Sequence, residues 1–195
     1  VSRWPVLVFA AVIAILVWSG SRLVGHRPFP PDTTPEGAYA RIALAMAERR
    51  PRDAFAYLET EAQWASYTIR DARRRACERI RASYPPEEGA KLLHDWSHVA
   101  EAPDGADAFA ALAVARGWIA RLERDLSGAA RTEIEGERAT VVTGRGTRYA
   151  FRRRDNGIWG LTIFTPELMA EAEKASRDLD VVVHAAEDYD RGREH

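Results

Sequence analysis

The feature that most constrains this chain is a change of hydrophobic period at Gly128. Upstream, apolar residues recur at offsets of three and four; downstream, they alternate with polar neighbours for about thirty residues. A chain with both periods in sequence must build helices first and an antiparallel sheet second, which is the α+β class.

The helical part has clear punctuation. Thr34 is placed to cap a first helix, with Pro35 in its first turn and Glu36 against the dipole. Tyr39, Ile42, Ala43 and Met46 mark its buried face, and Arg49-Arg50-Pro51 ends it. Asp53 can cap a second helix with Ala54, Tyr57 and Leu58 inward. A longer helix is expected over 64–84, striped by Ile69, Ala72, Ala76 and Ile80 and stopped by Pro85-Pro86. A short one follows around Leu92, Leu93, Trp96 and Val99. Beyond Pro103-Asp104-Gly105, the repeat Leu112, Ala115, Ile119, Leu122, Leu126 predicts one helix running to Gly128.

In the period-two part, Ile134 leads into a turn at Gly136-Glu137, and Ala139, Val141 and Thr143 share a face. Tyr149 and Phe151 alternate likewise. Asp155-Asn156-Gly157 makes a hairpin turn into Trp159, Leu161 and Ile163. Thr165-Pro166-Glu167 opens a C-terminal helix through Leu168, Met169, Ala172 and Ala175. Val181-Val182-Val183 fits a last strand or a further helical turn equally well. The expected architecture is a helical layer on a small curved antiparallel sheet with a C-terminal helix, spanning 35–190, with 191–195 as a charged tail.

Three segments also resemble a known superfamily. Ile134-Glu135-Gly136-Glu137-Arg138-Ala139-Thr140-Val141, Tyr149-Ala150-Phe151 and Asp155-Asn156-Gly157-Ile158-Trp159 are similar to the hairpins of the nuclear transport factor-like superfamily, in its bacterial envelope branch. The paired helices expected over 35–50 and 53–63 look like that family's opening. The resemblance implies a curved sheet wrapped around helices, leaving a cone-shaped pocket. The helical stretch over 64–126 is longer than the family usually inserts, and the superfamily hosts enzymes, binding modules and assembly domains alike, so the resemblance leaves activity open.

Ahead of the domain, residues 4–18 are apolar without interruption, and 4–20 is 17 residues, about 25 Å as a helix. Trp4 and Trp18 stand where interfacial aromatics lie, and Arg22 can snorkel. A cleaved signal peptide and a buried core helix compete with this reading. Trp18 and Arg22 make a poor cleavage context, and a segment apolar on every face suits lipid better than a domain core. Residues 1–24 are thus expected to anchor the chain in the lipid bilayer through 4–20. The flanking charges, Arg3 against Arg22 and Arg27, nearly tie, and a very short leader places the domain outside the inner (cytoplasmic) membrane. Residues 25–34, rich in proline, read as a semi-rigid stalk.

Candidate chemistry is sparse. Net charge is −1, which recruits no nucleic acid. Nearly all basic residues are arginine, lysine occurring only at Lys91 and Lys174. Cys77 stands alone, so no internal disulfide is possible. His94 and His98 share a helical face as in zinc proteases, but Asp95 replaces the glutamate those sites need, and no third ligand follows; no metal and no cofactor are expected. Arg70, Arg73, Arg74, Arg75, Arg79 and Arg81 crowd one helix, either as a lipid-headgroup patch or as a solvated face with Asp71–Arg75 and Arg75–Glu78 pairs. Trp64, Tyr67, Tyr149, Phe151 and Trp159 could line an aromatic ligand pocket, or fill a core. The leading expectation is a non-enzymatic envelope domain that binds a protein partner or a small ligand. The alternatives are a cone-fold enzyme on a small hydrophobic substrate, or a membrane-surface contact through the arginine-rich helix.

Overall fold

Thr34 starts the first helix through its hydroxyl, which accepts from the Gly37 amide at 3.1 Å in a computed structural model that describes residues 29–193. The helices are α1 (Pro35–Ala47), α2 (Pro51–Ala54), α3 (Thr60–Ser83), α4 (Pro86–Ala100), α5 (Gly105–Ala115), α6 (Trp118–Asp125) and α7 (Thr165–Arg193). Between α6 and α7 lie β1 (Ala129–Glu135), β2 (Arg138–Thr143), β3 (Arg148–Arg153) and β4 (Trp159–Leu161), an antiparallel meander in the order β1-β2-β3-β4. The chain is therefore α+β, as its two periods require.

The sheet buries one face. Ala139, Val141, Tyr149, Phe151, Trp159 and Leu161 point inward, and α1 packs across them with Tyr39, Ile42 and Met46. Two of the three hairpin turns fall at Gly136 and Gly157, both in the left-handed region that glycine adopts without strain, and the third, over 144–147, joins β2 to β3. Ile163 was expected to continue the inner face, but β4 stops at Leu161; Ile163 turns outward and Phe164 takes the buried place.

The last residues of the expected stalk are fastened to the domain. The Pro30 carbonyl accepts from Arg41 at 2.7 Å, and the Thr33 carbonyl accepts the Trp159 indole N–H at 3.1 Å. A Cβ on Gly37 would stand 1.9 Å from the Pro31 carbonyl oxygen, so only glycine lets this strap lie against α1. Residues 29–34 thus belong to the folded unit.

Three helical expectations need correction. The second helix, expected over 53–63, is only α2 followed by a 3-10 turn at Phe55–Tyr57; Leu58 is drawn off into a parallel bridge with Leu161 of β4. The single helix expected over 112–126 breaks at Gly117, whose φ of 67° is left-handed. Ala115 consequently faces solvent, and Trp118 begins α6 buried and stacked on Phe164 at 4.9 Å. Finally, Val181–Val183 takes the helical of its two alternatives, but the helix does not end there before a charged tail. Val182 completes the stripe Leu168, Ala172, Ala175, Leu179, Val182, Ala186 along α7, which continues through the expected tail to Arg193, while Met169 lies outside the stripe and is exposed.

Helix α7 lies beside α3 and runs in the same direction. Small residues on both helices, Ala72 and Ala76 against Ala172 and Ala175, allow close approach. No helix among the described residues is long and apolar enough to cross a membrane. The apolar run at residues 4–18 lies outside the described residues.

Candidate binding cleft

The arginine-rich helix accounts for most of the polar structure around this seam. Arg73 sits four residues after Ile69 and three before Ala76, inside the apolar stripe of α3, and is 3% exposed. Its guanidinium donates to Asp178 at 2.7 Å and Glu171 at 3.3 Å, both on α7, and lies over the Trp96 ring of α4 at 4.2 Å. Arg79 donates to Asp190 at 2.8 Å, and Asp190 also accepts from the Ser83 hydroxyl. Arg70 and Arg74 donate to carbonyls at Ala100, Ala102 and Pro103, closing the end of α4. Arg81 reaches Glu101. Five of the six arginines therefore bolt α3 to neighbouring elements, rather than forming one cationic face. The expected Asp71–Arg75 and Arg75–Glu78 pairs do not form; Asp71 pairs with Arg70 instead.

Beside Arg73, helices α3, α4, α5 and α7 line an open cleft of about 420 Å³, and a second hollow of about 330 Å³ shares Leu112, Arg116, Glu171 and Lys174 with it. Its floor is apolar, formed by Ile69, Val99 and Leu112, with Trp96 as one wall. The break at Gly117 builds the other side. Because α5 ends there, Arg116 turns over the cleft and donates to Glu171. Glu171 thus accepts from Arg73 on one carboxylate oxygen and from Arg116 on the other, which fixes its position between the two guanidiniums. Lys174 differs. Its ammonium stands 3.9 Å from Asp178, outside hydrogen-bonding distance, and its head remains exposed. The chemistry available is therefore a neutralised ion-pair base beside buried apolar side chains, with the Lys174 ammonium and the exposed Asp95 carboxylate also on the lining, and the free ammonium can hold an acidic group of a ligand.

The five aromatic residues anticipated as a pocket are not brought together. Tyr149, Phe151 and Trp159 are buried on the inner face of the sheet, where Tyr149 meets Tyr39 at 5.4 Å between ring centres. Trp64, 67% exposed, and Tyr67 lie apart on α3, 6.4 Å from each other, Tyr67 resting over Gly105 and against Phe55. The inner face of the sheet is thus packed with side chains against α1. Burial decides which aromatics it took: the strand residues alternate inward, whereas Trp64 is off the Ile69–Ala72–Ala76 stripe.

Burial also disposes of other reactive groups. It pushes the Cys77 thiol up from its ordinary value, away from the thiolate that nucleophilic chemistry needs. The Tyr149 phenol, buried with no hydrogen-bond partner, is pushed up to about 12, first by burial and then by Tyr39 and Asp125 nearby. His94 and His98 are both exposed on α4, and among the described residues no group of three or more His, Cys, Asp or Glu side chains is placed to hold a metal. Sequence reasoning missed the cleft itself. The one available signal was Arg73, a charge at a stripe position, which marks a buried ion pair before its partners are known.

Comparison with protein-family models, with curated proteins and with solved structures finds no match for this chain.

Proposed function

We propose that this chain is a membrane-tethered, non-enzymatic binding domain of the cell envelope, and that its α3–α4–α5–α7 cleft receives an acidic group of a protein partner or small ligand. The observation that carries the reading is the pairing pattern. Glu171 and Asp178 neutralise the buried Arg73, while Lys174 at the mouth keeps donors free above the apolar floor. An enzyme of the cone type would act within an aromatic cavity, and here Tyr149, Phe151 and Trp159 are packed into the core. A headgroup-binding helix would present its arginines together, and five of the six on α3 are engaged internally.

The tether is supported by the apolar residues 4–20 and the interfacial tryptophans at 4 and 18. Placement of the domain outside the cytoplasmic membrane is part of the same proposal. Kinship with the nuclear transport factor-like superfamily is proposed on the hairpin segments alone.

Binding is tested by titrating the isotope-labelled full chain with short acidic peptides and with citrate while following tryptophan indole signals. Shifts at Trp96 and Trp118 that vanish in Lys174→Glu/Arg116→Glu are expected. Shifts unaffected by that variant, or none at millimolar probe, overturn the cleft reading. Retention of the full chain in the membrane fraction after alkaline carbonate tests the tether, and release as a soluble form overturns it. Protease added outside an intact inner membrane should degrade the domain, whereas protection would place it in the cytoplasm.

A further inference from the structure

The two edges of the sheet are unlike. At β4 the edge is covered: Leu58 bridges Leu161, and the Glu59 amide donates to the Leu161 carbonyl at 3.2 Å. At β1 nothing among the described residues bonds to the outer side, and no β1 residue is fully buried. Ile134 lies on the inner face beside buried Ala139, yet is 56% exposed. The Thr132 hydroxyl, on the same face, is buried without a partner.

The ladder shows which groups are free. Arg153 donates to the Glu137 carbonyl and Gly144 to the Gly128 carbonyl, so odd-numbered β2 residues face β3 and even-numbered ones face β1. Paired as Glu135↔Arg138, Glu133↔Thr140 and Arg131↔Val142, the β1 residues Arg131, Glu133 and Glu135 bond to β2. Thr132 and Ile134 therefore aim their N–H and C=O outward, away from the sheet. We infer that β1 is a self-pairing edge, at which two copies of this chain join antiparallel about a two-fold axis through Thr132 and continue the sheet to eight strands.

Charge selects that register. Centred on Thr132, each copy's Arg131 faces Glu133 of the other on the outer face and the two Thr132 hydroxyls face each other on the inner face, the regular pairing ending at the bulge between Ala129 and Arg131. Centred on Glu133, the two Glu133 carboxylates would meet; centred on Ile134, Glu133 would meet Glu135; centred on Arg131, the two guanidiniums would meet. Like charges directly opposite destabilise a strand pair. Only the Thr132 register sets opposite charges across the axis while matching the residues whose backbone groups are free. Within one chain Glu133 already accepts from Arg148 at 2.7 Å and pairs with Arg131 at 2.9 Å, so both side chains lie on the outer face where the partner strand would meet them. Homodimers built on such isologous contacts need this self-complementarity.

The test is sedimentation of the full chain in mild detergent. The native chain is expected to dimerise. Arg131→Glu sets Glu against Glu133, and Glu133→Arg sets Arg against Arg131, so each variant alone should weaken the dimer at least about tenfold. Mixed in equal amounts, the two variants should restore it as a heterodimer, because every cross-axis pair is again opposite in sign. Thr132→Pro removes an outward N–H and the unpartnered hydroxyl, neither of which bonds within the monomer, and should give folded monomer, with an unchanged circular dichroism spectrum. A monomeric native chain, or a dimer that survives both charge reversals and Thr132→Pro, overturns the inference. So does failure of the mixture to recover when each variant alone is folded and monomeric.

Discussion

The sheet half and the α3–α7 seam bury comparable side chains by opposite means. Under the sheet, Tyr39, Tyr149, Phe151, Trp159 and Leu161 pack as apolar bodies, and polar tips are met singly, as when the Trp159 indole donates to Thr33, or, at Tyr149, not at all. Along the seam, alanines keep the helices close and the specificity lies in charge: Arg73 with Glu171 and Asp178, Arg79 with Asp190. Apolar packing is worth most per residue but distinguishes poorly between one register and the next. Buried ion pairs add little net stability yet penalise every mismatched arrangement, which suits two long helices whose alanine faces could otherwise slide. That division of labour can be broken from either side.

The largest effect is expected in the sheet. Trp159→Ala removes a buried indole and its hold on the strap, and should cost about 3–5 kcal/mol in denaturant unfolding. A loss below about 0.5 kcal/mol would mean that this face does not carry the core. On the seam, Arg73→Ala leaves Glu171 and Asp178 without their buried partner. Both carboxylates retain some solvent, so the expected cost is smaller, about 2–3 kcal/mol. Arg73→Lys should recover only part of it, since one ammonium cannot reproduce the fork. Full recovery would show that charge alone, without geometry, holds the seam.

Tyr149→Phe sharpens the contrast from within the apolar half. Its hydroxyl is buried and unpartnered, so removing it should stabilise the fold by about 1 kcal/mol. The pH dependence follows from the raised phenol. The folded state keeps Tyr149 neutral up to about 12, whereas the unfolded chain ionises from 10.0, so its contribution is complete below pH 10 and lost as pH rises towards 12. The phenylalanine variant should show a shallower alkaline loss of stability; an identical alkaline slope would mean that the phenol is solvated. The smallest effect belongs to Arg79→Ala. Its pair with Asp190 is more than a third exposed on each side, and should contribute under about 1 kcal/mol, shrinking in high salt. A salt-independent cost would point to packing of the side-chain stem instead.

Much of this was legible in the residues. The strand faces, the hairpin turns at Gly136 and Gly157, the Thr34 cap and the stripe of α3 follow from short-range patterns, because each is decided by local backbone preference and by which side faces water. The break at Gly117 was not, since the apolar repeat from Leu112 to Leu126 is equally good for one helix or for two set at an angle. Nor was the fate of Val181–Val183, where a β-branched run favours strand locally and the continuing stripe on α7 overrides it. The charged residues were least legible of all. Arg70 through Arg81 read as one crowded helix face, and only their partners on α4 and α7, as many as 111 positions away, show that they are bolts.

Taken alone, the sequence determined the α+β class, the inward faces of the strands, the absence of a disulfide and the apolar character of residues 4–20. Those properties depend on periodicity and composition, which neighbouring residues carry among themselves. The tertiary structure decided where α5 and α6 part, that Trp64 and Tyr67 lie outside the core, how Glu171 comes to bridge Arg73 and Arg116, and which sheet edge is left open. Each of these depends on contacts between segments far apart in the chain, and no local pattern records the partner that a side chain will meet after the helices have closed.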